Sequence, residues 1–307
     1  MARGGIVLLT GGTGGAKLAR GIADAYRAER LSAIVNTGDD VEIYGAHVSP
    51  DPDLVSFWLA GSIDERGWGL AGDTFAVMDG LRALGVEVWF NLGDRDLAWC
   101  VERARMLAEG LTPTEALARL CAAIGVGARV LPMCDEPVRT WVRTPKEGWL
   151  AFQEFMIRAR AAGPVAGLEY RGAEQARASE QVLQAIATAD VIVVGPSNPL
   201  ISIGPILAVG GMREALLAAE APVVAVSPIV AGEVLKGPTA AFMELAGAEL
   251  SAAGVCSLYE GLLDGIVSDE DGALPVRSLR ADTRMDGTEA RERVARETVE
   301  FARALRG

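Results

Sequence analysis

The sequence predicts an α/β fold: a Rossmann-like, mostly parallel sheet with helices on both faces and a small α+β insert. Three observations predict it. Short apolar runs bounded by glycine alternate with segments of helical apolar spacing along most of the chain. Glycine is abundant, at 36 residues, while aromatic residues make up 6%, which suits tight turns around aliphatic strands. Between about residues 97 and 172 the texture changes to two helices followed by short runs with a hairpin turn. One domain of 307 residues is therefore expected, with its core over 1–96 and 173–307 and the insert over about 97–172.

In chain order, Gly5–Thr10 (GIVLLT) reads as a buried strand. The segment 16–30 places Leu18, Ile22, Ala23 and Tyr26 at helical spacing. A second strand is predicted over 32–36, helices over 53–60 and 74–83, and a third strand over 86–91 (VEVWFN). Helices 97–109 and 114–124 follow, the latter started by Thr112, Pro113 and Glu115. Short antiparallel strands are predicted over 128–133, 138–144 and 148–152, with Pro145-Lys146-Glu147-Gly148 as the hairpin turn. The α/β rhythm then resumes: helix 176–187, strand 189–194, helix 211–219, strand 222–226, helices 239–248 and 255–263, strand 265–268 and helix 289–305.

The formal net charge of −12 is the opposite of a nucleic-acid binder's basic face, so no nucleic-acid partner is expected. The acidity suits solubility and leaves room for a small phosphorylated ligand screened by a divalent cation. Cys100, Cys121, Cys134 and Cys256 form no CxxC pair, and His47 is the single histidine. A redox pair or a His-rich metal site is thereby disfavoured, and free thiols suit a reducing cytoplasm. Met1 to Val7 carries no signal-peptide pattern, and no segment reaches roughly 18 uninterrupted apolar residues. A cytoplasmic protein with no membrane partner is expected.

Five loops with small or charged residues follow predicted strands: GGTGGAK, NTGDD, LGDRD, GPSNP and VSPIV. Ligands of open α/β sheets bind at that carboxyl edge. In the first loop, Gly11, Gly12, Thr13, Gly14, Gly15 and Lys17 can bring backbone N–H groups and a cation to a phosphate. Leu18 follows Lys17, which departs from the Walker A pattern, and the third glycine of GxGxxG is absent. Asp39 and Asp40 suit magnesium, a ribose hydroxyl, or a polar turn. Asp51 and Asp53 read as helix caps, or as a metal ligand and a base. Arg95 grips a phosphate or a polar ring edge, or pairs with its flanking acids at a helix start. Ser197, Asn198 and Ser202 suit a phosphate or a base, and Ser227 begins the VSPIV loop; Lys236 could add a cation. Trp58, Trp68, Phe75, Trp89 and Trp99 could include a platform for a flat ring, most of them being core. Phosphoryl or nucleotidyl chemistry fits this set, because it needs positioning and charge neutralisation more than a nucleophilic side chain.

Taken together, the loops resemble the 2-phospho-L-lactate transferase family of deazaflavin coenzyme (coenzyme F-420) biosynthesis. The resemblance runs through GGTGGAKL, NTGDD, HVSPDPD, RGWG, DTF, LGDRDLA, LPMCDEPV, FQEF, GPSNP followed by SIGPI, and VSPIV, nearly the whole chain. It implies a transferase for substituted phosphate groups, with a GDP-linked three-carbon acid as donor. The implied acceptor is 7,8-didemethyl-8-hydroxy-5-deazariboflavin (Fo). Its terminal ribitol hydroxyl attacks the phosphorus bearing the acid, and GMP leaves. Magnesium and a homodimer are implied as well. By matching position, the resemblance implies Asp53 as a metal ligand or base beside Fo, with Asp51 the other candidate of that stretch. It implies Arg95 as the Fo-side arginine and Asp39, then Asp40, for magnesium. Residues 12–17 with Ser197 and Asn198 would border the donor. Pro52 stands where the family pattern has Leu, and Lys17 where some relatives carry Arg. The competing readings are a UDP-sugar-binding regulatory protein of related fold and an NAD(P)-dependent oxidoreductase. The first is disfavoured by the SPDPD and LGDRD pieces, the second by the missing glycine.

Overall fold

The computed structural model describes residues 4–230, 233–234 and 237–306. Lys236 lies outside them. β1 (Gly5–Thr10) leads into α1 (Gly12–Tyr26), and β2 (Leu31–Val35) follows. A ribbon of β3 (Val41–Ile43) and β4 (Ala46–Val48) precedes α2 (Pro50–Leu59), α3 (Ala76–Ala83), α4 (Asp94–Ala108), α5 (Pro113–Ala123) and β5 (Arg129–Pro132). Next come β6 (Arg139–Thr144), β7 (Gly148–Ala151) and β8 (Gly167–Arg171), an antiparallel sheet in the order β7-β6-β8. The rest runs α6 (Glu180–Ala187), β9 (Ala189–Val194), α7 (Gly204–Ala208), α8 (Met212–Leu217) and β10 (Val223–Val226), then the ribbon β11 (Ile229–Val230) and β12 (Glu233–Val234). It ends with α9 (Thr239–Leu245), α10 (Ala252–Leu258), β13 (Gly265–Ser268), β14 (Arg277–Arg280) and α11 (Thr288–Ala304).

Seven strands form the central sheet, in the order β14-β13-β10-β9-β1-β2-β5. Every neighbouring pair is parallel. A parallel sheet must be covered on both faces, so its inner strands carry no polar alternation, whereas the edge strand β14 (RSLR) is largely exposed. In β1, Ile6 and Leu8 enter one core with Leu18, Ile22, Val55, Leu117 and Val299. Val7 and Leu9 enter the other with Val182, Ile186, Met212 and Val255. The period of two along the strand thus divides one apolar run between two helix layers.

Three sequence expectations need correction. Residues 86–91 form no strand; Val88 and Phe90 pack on the core, but the sheet edge they would need belongs to β5. β5 itself is parallel to β2, pairing Ser32 with Arg129 through Val35 with Pro132, and is not antiparallel. α4 and α5 therefore belong to the crossover between β2 and β5, and the antiparallel sheet starts at Arg139. The third concerns α2, which begins at Pro50 and not at 53; Pro50 and Pro52 sit in its first turn, where a missing N–H costs no helical bond.

From β1 the chain proceeds outward through β2 to β5, and from β9 outward the other way through β10, β13 and β14. The order reverses between β1 and β9. Open parallel sheets bind ligands beyond the strand carboxyl ends at such a reversal.

Candidate active site

A cavity of about 830 Å³ lies at that point. Residues 11–14 and 17 from the end of β1, Asp39 after β2, and residues 196–198, 201 and 202 after β9 all line it. The glycine loop is shaped mainly by close approach. A Cβ on Gly11 would strike the Asp51 carboxylate and Ser202, one on Gly14 the Pro196 carbonyl, and one on Gly15 the Thr10 and Ser197 hydroxyls. Gly12 adds a positive φ of 63°, which glycine adopts without penalty. Gly15 and Ala16 are the members of the loop that do not line the cavity.

The two acids Asp39 and Asp40 part company. Asp40 accepts a hydrogen bond from Ser49 Oγ at 2.6 Å and meets His47 Nε2 at 3.0 Å, so it ties β4 down outside the cavity lining. Asp39 lines the cavity together with Asp51, at 7% and 6% exposure. Asp51 accepts from the Gly12 N–H at 2.7 Å and from Asn36 Nδ2 at 3.0 Å. Asp39 Oδ1 is buried and has no hydrogen-bond partner. Burial, and then the charge of Asp51, push Asp39 well above the usual carboxylate range. Burial raises Asp51 to about 6, against the lowering by Asn36 and Gly12. Two buried carboxylates with an unused oxygen are unfavourable as bare anions.

Asp53 turns the other way. Arg103 grips it through both guanidinium nitrogens, and Trp99 Nε1 donates to its Oδ1 at 2.8 Å. The Ser49 N–H also reaches it, at 3.3 Å. Asp53 and Arg103 are 4% and 3% exposed, and Asp53 touches the cavity only as part of its wall.

Several predicted ligand groups brace the loops. Ser197 Oγ donates to the Gly11 carbonyl at 2.7 Å and accepts its N–H at 3.3 Å. Asn198 Oδ1 caps the turn after it, accepting from Leu200 and Ile201, while Nδ2 donates to Thr239. Ser227 Oγ accepts the Ile229 N–H at 3.2 Å. Thr13, Ser202 and Lys17 face the cavity, with Lys17 Nζ 3.5 Å from Asp286.

Arg95 is exposed outside the cavity lining, its Nη1 donating to the Ala71 carbonyl at 2.9 Å. Its neighbours cap two helices reciprocally. Asp94 accepts from Ala76 and Val77 at the start of α3, and Asp73 accepts from Arg95 and Asp96 at the start of α4. Trp68 and Phe75 reach the cavity, with Phe90, Phe152 and Met156; Trp58, Trp89 and Trp99 do not. Sequence reasoning missed Asn36, which aims Asp51, and Asp96, a further cavity carboxylate. It also missed the segment from Thr283 to Asp286, which closes over Lys17. Asn36 and Asp96 stand inside motifs already singled out, whereas 283–286 carries no motif.

Residues 6–303 match the family described as 2-phospho-L-lactate transferase CofD. The chain is 38% identical to a protein named 2-phospho-L-lactate transferase from Methanosarcina acetivorans, covering 98% of each. It is 40% identical to one named phosphoenolpyruvate transferase from Streptomyces griseus, covering 98% of this chain and 99% of that one. In fold it is similar to a crystal structure of a UPF0052-family protein from Bacillus halodurans, with a TM-score of 0.59 at 16% identity. That match covers 96% of this chain and 99% of the other. The motifs, the cavity at the strand-order reversal and the full-length relatives agree: the chain belongs to the 2-phospho-L-lactate transferase CofD family.

Proposed function

We propose that this enzyme moves a phospho-three-carbon-acid unit, 2-phospho-L-lactate or its enolpyruvyl counterpart, from a GDP-linked donor to the ribitol hydroxyl of Fo, releasing GMP. The two names borne by its relatives cover both units. The observation that carries the site reading is the buried, partnerless Oδ1 of Asp39, a residue that lines the cavity together with Asp51 and the glycine loop. These residues fit Mg²⁺, a hard cation that takes oxygen ligands and keeps company with phosphates. Asp39 and Asp51 would hold it. When bound it neutralises charge on the phosphates.

The polypeptide supplies the rest. The N-terminus of α1 and Lys17 favour the diphosphate by dipole and charge. Ser197 ties the GPSNP loop to the glycine loop, and Asn198 ties it to the start of α9. Phe75, Phe90 and Phe152 give the cavity an apolar side suited to a flat deazaflavin ring. The same reading makes the protein a homodimer, supported by the uncovered apolar groups of α3 and its C-terminal extension, where Val77 is 44% and Leu84 81% exposed. No described helix is long and apolar enough to cross a membrane. The four free, buried cysteines support cytoplasmic residence.

Titration with GDP tests the metal. Wild-type affinity should fall at least about tenfold, about 1.4 kcal/mol, when Mg²⁺ is omitted. Asp39→Ala should bind GDP equally weakly with and without it. Equal wild-type affinity in both conditions contradicts the assignment.

A further inference from the structure

The acceptor hydroxyl must lose a proton during transfer, and among the described residues in and beside the cavity the groups that commonly receive one are accounted for, with one exception. His47, the single histidine, is turned to Asp40 and Glu42. Asp40 is bound by Ser49 and Asp53 by Arg103. Asp73 caps α4, and Asp286 pairs with Lys17 and is 85% exposed. Asp39 and Asp51 are the candidate cation pair. Asp96 remains. It stands in the first turn of α4, half-buried, and lines the cavity next to Leu92 and Gly93. Among the described residues, its carboxylate receives only the weak thiol donor of Cys100, 3.9 Å from Oδ1, a thiol that also lies 3.8 Å from Asp53 Oδ2.

We propose that Asp96 is the catalytic residue that takes the proton from the attacking hydroxyl, an inference that rests on the transferase reading above. The hydroxyl oxygen bonds to the phosphorus bearing the three-carbon acid as its proton passes to an Asp96 oxygen. The bridging P–O bond breaks, and its electron pair leaves on the phosphate of GMP. The placement of Asp96 suits a proton acceptor, since Asp53, Asp96 and Cys100 bring ligand atoms within 4.8 Å of one another. That sets Asp96 beside Asp53 of α2, the helix that also carries Asp51, in the cavity that Phe57, Phe75 and Phe90 also line.

Its surroundings also make it a competent base at neutral pH. Burial first, then the charges of Asp53 on α2 and Asp73 before α3, raise it to about 7; Arg103 and Cys100 on α4 oppose the rise. Arg103 gives little relief because Asp53 occupies it. A base with a pKa near the working pH combines ionisation with proton affinity.

The test is steady-state GMP release from the full chain with Mg²⁺, Fo and a guanylylated three-carbon acid. Wild-type kcat should rise with pH through about 7 and level off above. Asp96→Asn should lower kcat by about 10²–10⁴-fold, leave both KM values within about threefold, and remove that pH limb. Asp96→Glu should restore part of kcat together with a limb. Asn is also expected to melt no lower than wild type, because it removes a charge that burial disfavours. Near-normal kcat in Asp96→Asn, a loss confined to KM, or survival of the limb overturns the assignment while leaving the transferase reading intact. No GMP from wild type with any donor overturns both.

Discussion

At the scale of the residue, two positions on one helix turn separate two carboxylates that look alike in sequence. Asp51 and Asp53 project about 200° apart around α2. One accepts from Gly12 at the cavity, and the other is clamped by Arg103 in the core. In the proposed reaction Asp53 is a positioning residue: with Arg103, which also donates to the His47 carbonyl, it holds the turn that presents Asp51. Asp53→Asn leaves a buried guanidinium without its anion, and a broken buried pair costs about 3–5 kcal/mol. A matching fall in urea-denaturation stability is expected, with turnover declining alongside. Wild-type stability combined with abolished turnover would instead make Asp53 a reacting group. The sequence placed both acids at the site but left their roles open, because which one faces the ligand depends on where α2 begins. That start is set by Ser49 as N-cap and Pro50 in the first position, with Asp53 accepting the Ser49 N–H. Asp39 and Asp40 divide for the same kind of reason: of the partners of Asp40, His47 comes from a ribbon the sequence did not announce and Ser49 from the N-cap of α2 that follows it.

At the scale of the element, strands with continuous apolar runs were legible, and β1, β2, β9, β10 and β13 lie where expected to within about a residue. Alternation misled over 86–91, since Val86, Val88 and Phe90 mimic a strand that has no sheet edge to join. Conversely, β5 is four residues long and its register with β2 is a property of the packed crossover, invisible locally. α3 shows what one chain leaves unresolved: Met78 is its only buried residue, and Val77, Leu84 and Val86 stay uncovered. An uncovered apolar face of this kind marks an interaction surface. Sedimentation should give twice the chain mass, and Leu84→Asp should shift the protein toward one. A wild-type protein sedimenting as a single chain contradicts the homodimer.

At the scale of the whole molecule, function follows from topology. The two halves of the sheet grow away from the boundary between β1 and β9. The loops after those strands meet there, held by the Ser197 bonds to Gly11 and by glycines that admit no Cβ. Four of the five loops read as carboxyl-edge loops do follow strands of the sheet, whereas LGDRD follows none; their ordered set carried the family. Which two strands flank the reversal required the fold, as did the placing of Arg95 outside the lining and Asp96 within it. In the proposed reaction this crevice transfers a three-carbon phosphate unit and does not merely bind a nucleotide. The direct measurement is product release by the purified chain with Mg²⁺, Fo and, in parallel, the lactyl, enolpyruvyl and glyceryl guanosine-diphosphate donors. GMP and an anionic deazaflavin should appear in equal amounts with at least one donor. Binding of donor and Fo without GMP release from any of the three would contradict the transfer.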